Sequence, residues 1–112
     1  MDIKVVVTAT APGLDARVDP RLDGAAFFTL VDTDTIKAES MPNRAREVPL
    51  GTEEAAAKAV IGMSARALIS DHVGPRAQEI VSSAGMKYYP YSGGLVEDAM
   101  IQLKRGELPT LD

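Results

Sequence analysis

The sequence predicts an α/β fold of three layers, α/β/α, built on a five-stranded mixed sheet in the element order βββαβαβα. Two observations carry this prediction. Three short runs typical of strands lie within the first 40 residues, whereas apolar residues recur with helical spacing in three segments after residue 51. The last two βαβ steps are expected to be right-handed parallel crossovers, and the first three strands lie close enough along the chain to pair as antiparallel neighbours.

Three strands are predicted in the first part of the chain. Residues 3–8 form a β-branched run that is typical of a strand buried on both faces. The second strand is predicted at 26–32 and the third at 35–40. Because Lys37 and Glu39 interrupt the hydrophobicity of the third strand, we expect it at an edge of the sheet.

Polar segments separate these strands. Residues 11–24 contain two prolines, two glycines and several charged side chains, which predicts a loop, and residues 41–52 predict a second one. The segment "DTDT" at 32–35 indicates a turn. Its carboxylates, Asp32 and Asp34, suit a hard cation, but no third acidic ligand is evident nearby, so a solvated turn is favoured.

The first helix is predicted to begin at the end of the second loop. Thr52 is expected to cap it, with Glu53 and Glu54 in the positively polarised first turn. A fourth strand follows at 66–70. The apolar stripe of this helix is expected to consist of Ala55, Ala56, Ala59, Val60 and Met63.

Glycine and proline mark the ends of the other two helices. Gly74 and Pro75 open the second helix and Gly85 ends it, while the third begins after 92–94 and ends at Gly106. A short fifth strand, 86–90, lies between them. The apolar faces consist of Ala77, Ile80, Val81 and Ala84 in the second helix, and of Val96, Ala99, Met100 and Leu103 in the third.

The composition limits the classes of function. The 112 residues suffice for one domain, 1–112, and the net charge of −4 argues against a general affinity for nucleic acid or an anionic membrane. No apolar run approaches the roughly 20 residues of a membrane span. The absence of cysteine excludes disulfides, zinc fingers and thiolate-held iron–sulfur clusters. We therefore expect a cytoplasmic protein, and a monomer because no long apolar stripe is left over.

The candidate site lies where the parallel strands end. In open α/β sheets, ligands bind beyond the carboxyl ends of the strands. Here the loops "SDHVGP" and "YSGG" both precede helices, and the unpaired N–H groups of a helix start attract anions. His72 is the only histidine of the chain. The segment that follows the first strand is expected to join these two loops at the same edge.

Further side chains complete the predicted site. Arg76 lies in the first turn of the second helix, and Arg21 lies in the long first loop, so both are candidates to add positive charge. Met41, which is placed in the second loop, offers a thioether to a soft ligand. The consecutive residues Ser70, Asp71 and His72 contain the three residue types of a hydrolase triad, but consecutive side chains diverge, so a triad is not expected.

Several segments together resemble the dinitrogenase iron–molybdenum cofactor biosynthesis family, the group of NifX, NafY and the NifB carboxyl-terminal domain. The resemblance rests on "HVGPRA", "YYPYSGGLVEDAM", "KRGEL" and, near the front, "RLDGAAFFTLVD". It covers nearly the whole chain and implies a ribonuclease-H-like α/β/α fold with a five-stranded mixed sheet. Where the family has a histidine in the front segment, this chain has Arg21.

The resemblance also implies a function, namely binding a metal–sulfur cluster. Within the family, the small stand-alone orange proteins of sulfate-reducing bacteria are similar in size and carry a molybdenum–copper sulfide cluster without covalent bonds to protein. The matching motif positions are His72, Gly74, Gly93 and Gly94. To these the residue chemistry adds Ser92, Arg21, Arg76 and Met41.

Three functions remain open on the sequence. The first is carriage or assembly of an anionic molybdenum-containing cluster, either a molybdenum–copper sulfide or the iron–molybdenum cofactor or its precursor. The second is a regulatory docking module without its own cluster, which partners a P-loop ATPase or metallocluster machinery. The third is an enzyme that acts on a phosphorylated substrate with His72 as acid or base. Because that histidine has no evident partner, we expect a binding protein and not an enzyme.

Overall fold

The computed structural model describes residues 3–109 and has the predicted order of strands and helices. A short 3-10 helix, η1, is added after the third strand. The elements are β1 Lys4–Ala9, β2 Phe27–Asp32, β3 Ala38–Pro42, η1 Arg44–Glu47, α1 Thr52–Ile61, β4 Ala67–Ser70, α2 Pro75–Ser83, β5 Lys87–Pro90 and α3 Val96–Lys104.

The five strands form one mixed sheet, in the order β3-β2-β1-β4-β5. β1 pairs antiparallel with β2 on one side and parallel with β4 on the other, and β5 continues the parallel half. The predicted mixed sheet and the edge position of the third strand are therefore confirmed. β1 is central, and its residues from Val5 to Ala9 are buried.

The helices cover both faces of the sheet. Val6, Leu68 and Tyr88 pack in a core with α1 and α2, whereas their strand neighbours Val5 and Ile69 pack in a second core with α3. This alternation follows from the two-residue period of a strand, and it confirms the three-layer α/β/α architecture. Within residues 3–109, no helix has the length and hydropathy that crossing a membrane requires.

The third strand lies two to three residues further along than predicted. The Asp32 carboxylate accepts the N–H groups of Asp34 at 2.9 Å and Thr35 at 3.1 Å, which confirms a turn at this point. Ile36 then has a φ of 55°, a conformation that a β-branched residue rarely adopts, so the turn lasts longer than "DTDT". As a result β3 includes Met41, and the prediction that this residue lies in a loop is wrong.

The first helix also differs in detail. Its N-cap is Gly51, with a φ of 72°, and Thr52 is the first helical residue and not the cap. The buried face consists of Ala56, Ala57 and Val60, whereas Ala59 is exposed. The predicted stripe is rotated because α1 packs against α2 and η1 as well as against the sheet.

The long loop between β1 and β2 is anchored in both cores. Ala16 and Val18 are buried in the core beneath α3, and Leu22 and Ala25 are buried in the core beneath α1 and α2. The loop therefore crosses the carboxyl edge of the sheet from one face to the other. This path brings it against both of the glycine-containing loops that the sequence singles out.

Candidate functional site

The carboxyl ends of β1 and β4 are joined by buried hydroxyl groups. The Thr8 hydroxyl lies 2.9 Å from Ser70 Oγ and 3.0 Å from the carbonyl oxygen of Asp19. Both side chains are fully buried. The Ser70 hydroxyl is thus bound to β1.

Backbone hydrogen bonds fasten the long loop to the loop after β4. The His72 N–H donates to the carbonyl of Pro20 at 2.8 Å, and the Leu22 N–H donates to the carbonyl of His72 at 3.0 Å. These bonds form a short parallel bridge that sets Arg21 beside His72. Two residues that are 51 positions apart in sequence therefore share one short stretch of the edge.

Arg21 and His72 lie on the rim of a cavity of about 260 Å³, named here the Arg21–His72 pocket. Their side chains are 69% and 76% exposed, so each is accessible to a ligand. Gly74 lies in the wall of the same pocket, and this brings three of the predicted site residues together. The lining residues are Arg21, Leu22, Asp23, Glu53, His72, Val73 and Gly74.

Each of the two basic groups has an acidic neighbour. Arg21 Nε lies 3.4 Å from Asp23 Oδ1, and His72 Nε2 lies 3.8 Å from Asp71 Oδ2. The two basic side chains are mostly exposed, and the side chains of Asp23 and Asp71 are 27% and 29% exposed. Water screens such pairs, so they leave the guanidinium and the imidazole available to a ligand.

The start of α2 is capped by a side chain that sequence reasoning placed only in the first turn of α1. Glu53 Oε1 accepts the Ala77 N–H at 2.8 Å. The same carboxylate contacts Gly74, where an added Cβ would collide with it. The expectation that this helix start offers unpaired N–H groups is therefore wrong at Ala77, and the Val73 N–H donates to the Tyr88 hydroxyl.

Arg76 is turned towards α1 and does not line the pocket. Its Nε atom lies 3.1 Å from Glu54 Oε1, and its Nη1 atom lies 3.6 Å from Glu79 Oε1. The predicted positive charge at the start of α2 is thus shared by two carboxylates. Neither of these two carboxylates lines the Arg21–His72 pocket.

The second glycine loop lies in a different depression. Gly93 and Gly94 line a shallow cavity with Tyr91 and the exposed side of α3, which shares no residue with the Arg21–His72 pocket. Ser92 is exposed next to them. Gly93 has a φ of 81°, which favours glycine, and the Tyr91 side chain packs where a Cβ on Gly94 would lie.

The start of α3 is closed by the backbone of the long loop. The Val96 N–H donates to the carbonyl of Ala16 at 2.8 Å, and the Glu97 N–H donates to the carbonyl of Leu14 at 2.9 Å. Asp98 additionally accepts the Leu95 N–H at 3.3 Å. The expectation of unpaired N–H groups is therefore wrong at these positions, and the two glycine loops do not converge on one pocket.

Met41 lies on β3 and does not line the Arg21–His72 pocket. Its side chain lines a groove between β3 and α1, together with Phe28 and Met63. No residue of this groove lines the Arg21–His72 pocket. The thioether is thus not among the groups that surround His72.

Tyr88 is a residue near the site that sequence reasoning assigned only to a strand. Its ring is buried, and its hydroxyl donates to the carbonyl of Asp71 at 2.8 Å. Burial raises the pKa of the Tyr88 hydroxyl, and the nearby Asp71 carboxylate raises this pKa further. The alternation of the strand predicts that one tyrosine of "KYYP" is buried, but not its bond to the histidine loop.

The side chains of the site offer few donors to a metal ion. No group of three or more histidine, cysteine, aspartate or glutamate residues within 3–109 is arranged to hold a metal ion, and the sequence has no cysteine. The pocket offers one imidazole, one guanidinium and the Gly74 backbone, together with the carboxylates of Asp23 and Glu53. The imidazole and the guanidinium suit an anionic group that brings its own ligands to any metal it contains, whereas the two carboxylates oppose it.

Comparison with known proteins identifies similar chains. The family described as dinitrogenase iron-molybdenum cofactor matches residues 3–106. The apo form of the orange protein from Desulfovibrio gigas is 34% identical, covers 96% of this chain and 92% of its own, and superposes with a TM-score of 0.92. No curated protein matches the sequence.

Two further structures share the fold. A putative NifB protein from Thermotoga is 25% identical over 96% of this chain and 92% of its own, with a TM-score of 0.81. A putative dinitrogenase from Methanocaldococcus jannaschii covers 100% of this chain and 97% of its own with a TM-score of 0.71. The latter is 15% identical, so its likeness concerns the fold alone.

Proposed function

The chain belongs to the dinitrogenase iron-molybdenum cofactor family, and from this premise we propose that it binds and carries, or assembles, an anionic molybdenum-containing metal–sulfide cluster without covalent bonds between cluster and protein. A molybdenum–copper sulfide is the favoured cargo, in preference to the iron–molybdenum cofactor or its precursor. The similarity to the orange protein, at 34% identity, supports cluster carriage. The proposed role is binding and not catalysis.

One observation of the structure carries this proposal, namely the parallel bridge that sets Arg21 beside His72 on one pocket. A sulfide cluster is anionic and already holds its metals through sulfide. It therefore needs positive charge and hydrogen-bond donors from the protein. The guanidinium of Arg21 supplies the charge and paired N–H donors, whereas the imidazole of His72 supplies a further hydrogen-bond donor.

The exposure of Arg21 and His72 predicts that binding of the cluster depends on the salt concentration. Because Arg21 and His72 are mostly exposed, water and salt screen their attraction to an anion. We therefore expect binding that weakens as the salt concentration rises, in contrast to binding by thiolate ligands. This also suits a carrier, since a cargo held by screened contacts is released readily.

Anaerobic loading tests the proposal. The full chain is mixed with tetrathiomolybdate and cuprous ion, freed of unbound metal by gel filtration, and examined by visible absorption and by analysis of molybdenum, copper and sulfide. We expect charge-transfer bands that travel with the protein. A protein fraction that stays colourless and free of metal contradicts the proposal, and it favours the docking module that partners a P-loop ATPase or other metallocluster machinery.

Two substitutions test the assignment of residues. His72→Ala is expected to weaken retention of the cluster by about tenfold, the usual cost of removing a group that orients a metal centre. Arg21→Ala is expected to weaken it by about two- to fivefold, because the charge is exposed. The matched control is Arg44→Ala: Arg44 Nη1 lies 3.4 Å from Glu47 Oε2 and is 80% exposed, but it lies outside the pocket. Equal losses in Arg21→Ala and Arg44→Ala would contradict a local site.

A further inference from the structure

A carboxylate of the chain itself occupies the inner wall of the Arg21–His72 pocket. Glu53 Oε1 accepts the Ala77 N–H at 2.8 Å, and its carboxylate lies against Gly74, so that no side chain fits at that position without moving it. The helix start attracts anions, and here the attracted anion is Glu53. The proposed cluster would thus enter a pocket in which one anionic position is already filled.

We infer that Glu53 determines the affinity and selectivity of this pocket for anions, and that a bound anionic cluster displaces the Glu53 carboxylate from the Ala77 amide. The inference rests on the proposed function, since the displacing ligand is the proposed cargo. Two negative groups in one small cavity repel each other, and the repulsion is relieved when the carboxylate moves out. Glu53 is therefore a specificity-determining residue that weakens binding of anions with too little charge to displace it.

The structure leaves a route for this displacement. Glu53 is only half-buried and lies in the first turn of α1, which begins with Thr52. After leaving the Ala77 amide, its carboxylate stays in that first turn, where the dipole of α1 favours a negative charge. The other carboxylate of the pocket, Asp23, is already paired with Arg21 at 3.4 Å. Of the two carboxylates, only Glu53 holds an amide that an anion can take over.

The first test measures affinity with tetrathiomolybdate alone, which is a dianion, so that cluster assembly with copper does not enter the result. The variant is Glu53→Gln, whose side-chain oxygen still accepts the Ala77 N–H while its charge is gone. We expect the dissociation constant, measured by equilibrium dialysis, to fall by about tenfold, within the range that a charge at a helix start contributes. Circular dichroism verifies that the variant is folded.

The matched control is Glu97→Gln. Glu97 lies in the first turn of α3 as Glu53 lies in that of α1, and the two substitutions change the net charge by the same amount. Glu97 is exposed and does not line the Arg21–His72 pocket. Its dissociation constant is expected to stay within about twofold of the original, because exposed charges outside a site are screened.

The second test follows single amides of the unmodified protein by nuclear magnetic resonance during the same titration. Displacement of Glu53 changes the partner of the Ala77 N–H, so the Ala77 signal should shift more than most. The signals of Val96 and Glu97 should stay in place, because their amides are bound to the backbone carbonyls of Ala16 and Leu14. If Glu53 has a purely structural role and stays on the amide, the Ala77 signal should shift no more than those of the pocket residues Val73 and Gly74 when ligand is added.

The outcomes separate the two proposals. Tighter binding of tetrathiomolybdate by Glu53→Gln together with a shift of the Ala77 signal supports the inference. The inference is also supported if Glu53→Gln binds tetrathiomolybdate and the original protein does not. If the original protein takes up tetrathiomolybdate with copper, but Glu53→Gln binds no more tightly and Ala77 does not shift, the inference is overturned and the proposed function stands. If neither protein takes up tetrathiomolybdate with or without copper, both are overturned.

Discussion

The starts of α2 and α3 have similar glycine-containing sequences but different hydrogen-bond partners. At α2 the Ala77 amide is held by the side chain of Glu53, whereas at α3 the amides of Val96 and Glu97 are held by backbone carbonyls of the long loop. A side chain can rotate away without disturbing the fold. A backbone carbonyl cannot, because the segment that carries it is anchored in the core. Of these two helix starts, only that of α2 can be opened to a ligand.

The difference has a cause in the path of the long loop. Ala16 is buried and packs in the core beneath α3, which fixes its carbonyl against Val96. Near α2 the same loop contacts His72 instead, and leaves the amide of Ala77 to α1. The long loop thus accepts the first amides of α3 with its own backbone carbonyls. At the start of α2 it instead lines the Arg21–His72 pocket.

The largest expected effect comes from breaking the closure at α3. Ala16→Asp places a charge at a site that is 8% exposed and next to the α3 core, which is expected to lower the free energy of unfolding by about 3 kcal/mol. Urea unfolding followed by circular dichroism measures it. Ala11→Asp adds the same charge at an exposed position of the same loop, and is expected to cost less than about 0.5 kcal/mol. Equal costs would mean that the loop is not anchored at Ala16.

Removing the cap at α2 should cost much less. Glu53→Ala deletes the acceptor of the Ala77 N–H, and we expect a loss of about 1 kcal/mol in the free energy of unfolding, the usual value for a helix cap. Glu53→Gln keeps an acceptor for the Ala77 N–H, so its free energy of unfolding should fall less than that of Glu53→Ala in the same urea experiment. A loss at Glu53→Ala as large as that of Ala16→Asp would erase the distinction between the two helix starts.

A tyrosine lies near the start of each of these two helices, and we expect both to make the free energy of unfolding depend on pH. Burial raises the pKa of the hydroxyl in Tyr88 and in Tyr91, and the carboxylates of Asp71 and Asp98 respectively raise it further. The unfolded chain therefore loses these protons first, near the ordinary value of 10.0. The stability they contribute is fully present below pH 10 and is lost as the pH rises through the folded pKa values.

Substitution to phenylalanine sharpens this comparison. Tyr88→Phe is expected to reduce the alkaline loss of stability more than Tyr91→Phe, because Tyr88 is the more buried of the two and bonds the carbonyl of Asp71. At neutral pH, Tyr88→Phe should also cost about 1 kcal/mol through the lost hydrogen bond. Urea unfolding at a series of pH values between 7 and 11 measures both effects. An unchanged alkaline profile in Tyr88→Phe would contradict the assigned role.

The smallest effect is expected at Arg76. Its partners Glu54 and Glu79 lie 3.1 and 3.6 Å away, but the arginine is 55% exposed, so Arg76→Ala should change the free energy of unfolding by less than about 0.5 kcal/mol. Its effect on uptake of tetrathiomolybdate should also be smaller than that of Arg21→Ala, because Arg76 is turned away from the pocket. A larger loss of uptake in Arg76→Ala would show that the ligand lies across the start of α2.

The sequence predicts the elements of the site better than their arrangement. The motif around His72 and Gly74 names two residues that line one pocket, since they belong to one loop. Ser92, Gly93 and Gly94 were expected to join them, but the two depressions share no residue, and the long loop is bonded to both helix starts. Glu53 was missed, because a glutamate in the first turn of one helix is ordinary and nothing local indicates that it caps another helix.

Local chemistry determined which segments became strands and helices. The β-branched run of β1, the turn at 32–35 and the Gly-Pro start of α2 depend on residues close in sequence, and their preferences are readable one segment at a time. Tertiary structure alone decided which amides stay accessible. Ala16, Glu53 and Arg21 reach their partners from distant parts of the chain, and such contacts are set by how the packed layers bring elements together, not by the period of any segment.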